Sequence, residues 1–230
     1  YIFPATTPEN SLRPEAFLNH YGAAMADNTD HIQPLHEDED FFIDRVIDPG
    51  FMERFEKRIL DTKWVEEEVK RKKYLSAQGR DAISNAIFKL GGKPAIRLIR
   101  LINKAIIVTK HIPATWKRTK TIMLYKKGDQ SLASNWRPVG ITSTWYRIFS
   151  SLMARAIQEE NKTRPIFHRY QRGFVKDGGG PSDHIVVLNE LIYHATRKNT
   201  DGFLIPIDLT NAFGSVVHEV IYEALLMKGF

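Results

Sequence analysis

The sequence contains no cysteine, which excludes a disulfide framework and any thiolate metal site. It has no run of about 18 or more uncharged apolar residues, so nothing in it reads as a membrane-spanning helix. The opening Tyr1-Ile2-Phe3-Pro4 lacks the charged start of a secretory leader. Familiar catalytic signatures are missing as well. No Gly-x-Ser-x-Gly elbow marks a serine hydrolase, and no glycine loop ends in Gly-Lys-Ser/Thr, which excludes a P-loop. His111, His168, His184 and His194 stand at no zinc-binding spacing with carboxylates. What remains is a chain of ordinary globular composition, 43% apolar and 26% charged, whose 230 residues suffice for one large or two small domains. Its start at Tyr1, with no initiator Met, fits a piece of a longer polypeptide.

Charge is distributed unevenly. Residues 1–50 carry two basic and ten acidic side chains, a net −8, so the remainder carries +14 against an overall +6. A body that basic attracts polyphosphate in a salt-dependent way, although a solvated basic surface would have the same composition. The first 50 residues, with the acidic cluster Glu37-Asp38-Glu39-Asp40 and several prolines, read as an extended leader holding at most short helices.

Helical periodicity begins near residue 51. Phe51, Phe55 and Ile59, then Trp64, Val65 and Val69, recur among Glu, Lys and Arg, with a break at Asp61-Thr62. A turn at Gly79-Arg80-Asp81 places Asp81 to cap a helix over 82–90, which Gly91-Gly92 ends. Pro94 opens a second helix of about four turns, apolar around most of its circumference and expected to be mostly buried. Further on, residues 143–159 and 182–197 read as helices, the first with an aromatic and aliphatic stripe better explained by core packing than by stacking on bases.

Between these helical tracts lies a β-hairpin. Thr119-Lys120-Thr121-Ile122-Met123-Leu124-Tyr125 is rich in β-formers, Lys126-Lys127-Gly128-Asp129 is a turn, and Trp136-Arg137-Pro138-Val139-Gly140-Ile141 is the returning strand. Residues 111–137 hold six basic side chains against Asp129 alone, a composition suited to neutralising phosphates or to guarding a strand edge. Packing accounts for Trp116 and Trp136 better than nucleotide stacking does.

The most informative stretch is Phe203-Leu204-Ile205-Pro206-Ile207-Asp208-Leu209-Thr210-Asn211-Ala212-Phe213. It reads as a short apolar strand delivering one carboxylate to the rim of a sheet, where a hard cation finds oxygen ligands. By itself Asp208 is equally an ordinary end-of-strand residue, with Thr210 and Asn211 as caps.

The whole string resembles the first catalytic motif of reverse transcriptases. With it come the Gly-x-Asp turn at 79–81, Pro-x-x-Trp-Lys at 113–117, Lys-Lys-Gly-Asp at 126–129, Trp-Arg-Pro at 136–138 and Gln-Arg-Gly-Phe at 171–174. In that order they resemble the reverse transcriptase domain of non-LTR, LINE-like retrotransposons, nearest to the site-specific elements that insert into ribosomal DNA. The resemblance implies an α+β fold: a partial right-hand polymerase with helix-rich fingers, a β-hairpin and the first part of an antiparallel palm sheet. It divides the chain into an acidic leader (1–50), a helical extension (51–110), fingers (111–200) and the start of the palm (201–230).

The same resemblance implies RNA-directed DNA polymerase activity with two Mg²⁺ ions, an RNA template, a DNA primer or target DNA, dNTP substrates, no membrane, and a nuclear location. Asp208 would be the first metal-binding carboxylate, with the Leu209 carbonyl as a second oxygen ligand. Lys126 and Arg137 would grip the incoming triphosphate, Phe213 would sit beneath the sugar and exclude a 2′-hydroxyl, and Gln171 and Gly173 would lie on the template side. Departures are Gly214, where many relatives have Asp, and Arg80-Asp81-Ala82 in place of a commoner Pro-Asp-Gly. The aromatic-x-Asp-Asp motif that supplies the remaining carboxylates does not occur, so this polypeptide is expected to be inactive alone. Two alternatives stay open: a non-catalytic nucleic-acid-binding module of polymerase fold, and a reverse transcriptase of the group II intron maturase kind.

Overall fold

The computed structural model describes residues 13–22, 50–176, 180–209 and 212–229. The acidic cluster Glu37-Asp38-Glu39-Asp40, Gly178-Gly179 and the cap residues Thr210 and Asn211 lie outside them. Among the described residues the chain is α+β: helices carry most of it, joined by irregular segments and one antiparallel two-stranded sheet.

The core is a helical bundle. Helices α2 (Phe51–Leu60) and α3 (Thr62–Arg71) meet at Asp61, which ends the first and caps the second by accepting a 2.7 Å hydrogen bond from the Trp64 amide. Both pack on α5 (Gly92–Thr109) and α6 (Thr144–Asn161), with α4 (Asn85–Leu90) against α5. The buried side chains repeat at helical spacing: Phe51, Phe55 and Ile59 on α2, Val65 and Val69 on α3, Ile96, Ile99 and Ile106 on α5, and Phe149, Leu152 and Ala156 on α6. Sequence periodicity thus located the core faces correctly. It overstated α5, whose Leu98, Leu101 and Val108 face solvent, because a helix packed on neighbours from one side buries one stripe whatever its other faces carry.

Polar groups finish the bundle where helices end. The last carbonyls of a helix have no partner within it; on α2, those of Ile59 and Leu60 accept from Asn103 and Arg100 of α5. At the far end of α6, Glu160 is 2% exposed and receives both Arg54 and Arg58 of α2, the latter at 2.7 Å. Burial pushes its pKa up, but the paired arginine hydrogen bonds outweigh burial and hold it below the ordinary carboxylate range.

The turn at 79–81 differs from its expectation. Helix α4 starts at Asn85 with Ser84 as its cap, and Ala82 sits at φ +53°, so Asp81 caps nothing within α4. Its carboxylate crosses instead to the start of α6, accepting from the Ser143 hydroxyl at 2.7 Å and the Thr144 amide at 3.0 Å. Beside it Gly79 is buried, and a Cβ there would lie 2.5 Å from the Thr142 carbonyl oxygen.

Strands β1 (Lys120–Tyr125) and β2 (Trp136–Ile141) pair antiparallel from Lys120 opposite Ile141 to Tyr125 opposite Trp136. Helix α1 (Pro14–Gly22), from the leader, docks on the hairpin: the Tyr21 hydroxyl donates to the Ala133 and Trp136 carbonyls, and Phe17 meets the Trp136 ring edge-on at 5.8 Å. Trp116 is buried against Tyr146 and Phe149, as packing predicted. Helices α7 (Pro181–Lys198) and α9 (His218–Met227) follow, neither with a buried residue, and the short α8 (Ala212–Ser215) lies between them.

Residues 201–209 are irregular and exposed, not the strand their composition predicted. A strand requires a neighbour to complete its hydrogen-bond ladder, and the only sheet among the described residues is the hairpin.

Two stability tests follow from these contacts. Glu160→Ala removes the buried carboxylate that Arg54 and Arg58 share and should destabilise the chain by about 2–4 kcal/mol in urea unfolding. Because its folded pKa is depressed, the Glu160 contribution is present above its ordinary value of 4.5 and is lost as pH falls through the folded value. Glu160→Gln should flatten that acid limb. Gly79→Ala drives a methyl into backbone and should cost about 2–3 kcal/mol, while Asp81→Ala removes a cap and should cost about 1–2 kcal/mol; a thermal melt indistinguishable from wild type for both would show that the contact between this turn and the start of α6 does not stabilise the fold.

Candidate nucleotide and nucleic-acid site

The hairpin brings two of the candidate residues together. Arg137 pairs with Leu124 in the ladder, and the Lys126 amide continues the same register by donating to the Asn135 carbonyl at 2.8 Å. Side chains alternate along a strand, so Lys126, Leu124 and Arg137 share one face, with the two cations offset diagonally. Both are exposed. The opposite face at this end carries Tyr125 and Trp136, whose rings are 5.4 Å apart. An ammonium and a guanidinium side by side on a ribbon can grip adjacent phosphate oxygens, Arg by a planar fork and Lys as a mobile charge.

The turn that joins the strands is self-contained. Gly128 takes φ +94°, a left-handed geometry that favours glycine. Asp129 accepts from the Ser131 amide at 2.8 Å, and this hydrogen bond lowers its pKa. Asn135 donates to the Asp129 carbonyl at 2.8 Å. The acidic residue of the Lys-Lys-Gly-Asp turn is therefore occupied in shaping the turn.

The Gln-Arg-Gly-Phe segment is likewise folded on itself. Gln171 donates to the Gly173 carbonyl at 2.9 Å, and a Cβ at Gly173 would meet only ordinary contact, 3.7 Å from that amide. Neither residue touches another element through that pair. The residue that does is Phe174, which motif matching left without a role. It sits at φ +60°, a conformation uncommon for an aromatic residue, with its ring 89% exposed and 6.2 Å from the ring of Phe213 in an edge-on arrangement. Its carbonyl accepts from Gln158 of α6 at 2.8 Å, and the other end of the same amide accepts from the Lys176 backbone at 2.9 Å. Gln158 thus pins the turn to the bundle. The positive φ, which sequence does not reveal for a non-glycine residue, is what aims Phe174 outward.

Asp208 and Leu209 are exposed at the end of the irregular run. No hydrogen bond, ion pair or ring contact joins them to Lys126 or Arg137 among the described residues. The donors around Asp208 fall short of what a pair of Mg²⁺ ions requires. Hard cations of this size need several oxygen ligands each, and no group of three or more acidic or histidine side chains among the described residues could hold a metal. One carboxylate and one carbonyl do not constitute a two-ion centre. Among the described residues no helix is long and apolar enough to cross a membrane.

Comparison with known proteins gives a consistent result. No family model matches the chain. It is 25% identical over 133 residues to the retrovirus-related Pol polyprotein from type-1 retrotransposable element R2 of Popillia japonica, covering 58% of this chain and 18% of that protein. It is 26% identical over 142 residues to the probable RNA-directed DNA polymerase from transposon BS of Drosophila melanogaster, covering 61% and 16%. A 149 kDa protein of transposon TX1 from Xenopus laevis is 27% identical over 119 residues, covering 52% and 9%. The chain therefore spans less than a fifth of the length of these relatives. Over more than half of its length it is similar to the reverse transcriptase-related proteins of non-LTR, LINE-type retrotransposable elements.

Proposed function

We propose that this segment is the fingers and the beginning of the palm of an RNA-directed DNA polymerase, and that its hairpin binds the triphosphate of an incoming dNTP. The main support is the hairpin register, which puts Lys126 and Arg137 on one exposed face at the end where the chain turns. A triphosphate is a chain of anionic oxygens, and two cations fixed to a paired ribbon meet it with little further ordering cost. RNA template, DNA primer and nuclear residence belong to the same proposal.

Asp208 would contribute one carboxylate to the metal centre, with the Leu209 carbonyl beside it. The exposure of both fits such a role, and the remaining ligands are not among the described residues. The polypeptide by itself is proposed not to extend a primer. Phe213, 88% exposed and touching Phe174, would form the floor of the sugar pocket and reject ribose by bulk. Gln171 and Gly173 would face the template, with Gln158 holding their turn in place.

Nucleotide binding tests the hairpin directly. Equilibrium dialysis with labelled dNTP measures the affinity. Lys126→Ala and Arg137→Ala are each expected to weaken triphosphate binding about fivefold to thirtyfold, and to leave a nucleoside, which has no phosphate, unaffected. Equal loss for nucleoside and triphosphate would point to a damaged fold and remove the phosphate role. In the longest polypeptide that carries this segment, Asp208→Asn should reduce Mg²⁺-dependent primer extension on an RNA template by at least about a hundredfold; survival of activity would take Asp208 out of the mechanism.

A further inference from the structure

We propose that α1 is a clasp that fixes the two hairpin cations in place, so that Phe17 and Tyr21 of the leader are positioning residues for the polyphosphate bound by Lys126 and Arg137. The clasp presupposes that the hairpin binds a triphosphate, as proposed above, and gives the leader a part in that binding.

Helix α1 has nine residues and no buried one, and a helix of that length does not hold itself together alone in water. Its half-buried side chains are Ala16, Phe17 and Tyr21; the last two, at i and i+4, form one stripe. Phe17 meets the Trp136 ring at 5.8 Å and Tyr125 meets the same ring at 5.4 Å, so Trp136 links the helix to the ladder. A two-stranded hairpin is itself marginal without a covering element. Helix and ribbon therefore order each other.

The hydroxyl contact is the more specific of the two. The Lys126 amide donates to the Asn135 carbonyl at 2.8 Å, and bonded and non-bonded pairs alternate in an antiparallel ladder, so the neighbouring pair of Tyr125 and Trp136 is non-bonded. The Trp136 carbonyl accordingly points to the outer edge of β2, where the Tyr21 hydroxyl donates to it. That carbonyl and the Arg137 nitrogen belong to one planar peptide unit. Holding the first holds the plane from which the Arg137 side chain departs. The same hydroxyl reaches the Ala133 carbonyl at 3.3 Å, in the short 3₁₀ turn Ala133–Asn135 that ends at the backbone partner of Lys126. One side chain of α1 thus braces both cation positions. A mere guard of the β2 edge would be indifferent to bound phosphate, whereas a clasp is thermodynamically coupled to it.

Hydrogen exchange on the wild-type chain, with and without saturating dATP, reads that coupling. Docking that strengthens binding is itself strengthened by the ligand to the same extent, so exchange across residues 14–22 should slow about tenfold with dATP and stay unchanged with deoxyadenosine. Unchanged exchange with dATP bound would overturn the clasp, whatever the stability of any variant. Equilibrium dialysis measures the other side of the cycle. Phe17→Ala with Tyr21→Phe should weaken dATP binding about tenfold. Leu18→Ala, on the open side of α1 at 69% exposure, should change it less than about twofold. Wild-type affinity in the double variant, or an equal loss in Leu18→Ala, would overturn the clasp and leave the hairpin grip standing. Absence of dATP binding by the wild-type chain would remove the grip, and the clasp with it.

Discussion

The structure depends on one close approach of backbone to backbone, where the turn at Gly79 lies against Thr142 and the Asp81 carboxylate reaches the first turn of α6. Thr142 directly follows β2 and Ser143 directly precedes α6. A contact at this junction therefore fixes where the hairpin leaves the bundle. Thr144 adds a hydroxyl donated to the Ile83 carbonyl at 2.6 Å, so both sides of the junction are bonded. No side chain can intervene at Gly79. The Gly-x-Asp spacing is thus a steric and hydrogen-bonding requirement: a residue without Cβ, then one whose carboxylate can cap a helix from outside the helix.

The bundle was legible because helical periodicity encodes burial directly. Phe51, Phe55 and Ile59 could be placed on one face from spacing alone, and Asp61 could be recognised as the break. The hairpin was legible for a similar reason, since alternation and a Gly-Asp turn specify two strands. Other features rest on contacts distant in sequence, which local patterns do not carry. Asp81 was read as a cap for the helix that follows it, when its partners lie more than 60 residues on. Nothing local to Glu160 signals its burial, because its arginine partners come from α2. The left-handed Phe174 gave no sequence signal at all.

The candidate site was legible in part. Sequence supplied the chemistry of Lys126, Arg137 and Asp208, and the strand register then showed that the two cations share a face. It did not supply a sheet for Asp208. Phe203, Leu204, Ile205, Ile207 and Leu209 are all more than two-thirds exposed, so the apolar composition that suggested a buried strand has no neighbour among the described residues. Helices α7 and α9 share this property, each with large apolar residues facing solvent. Composition reports what a segment is suited to bury, and only a partner surface determines whether it does.

The docking of α1 on the hairpin has a directional consequence. Because consecutive side chains on β2 point to opposite sides, the helix that meets the Trp136 ring occupies the aromatic side, and among the described residues Arg137 on the other side is exposed. The ribbon is thereby made one-handed in its accessibility. Among the described residues, α1 thus leaves Arg137 open on the side away from the Trp136 ring.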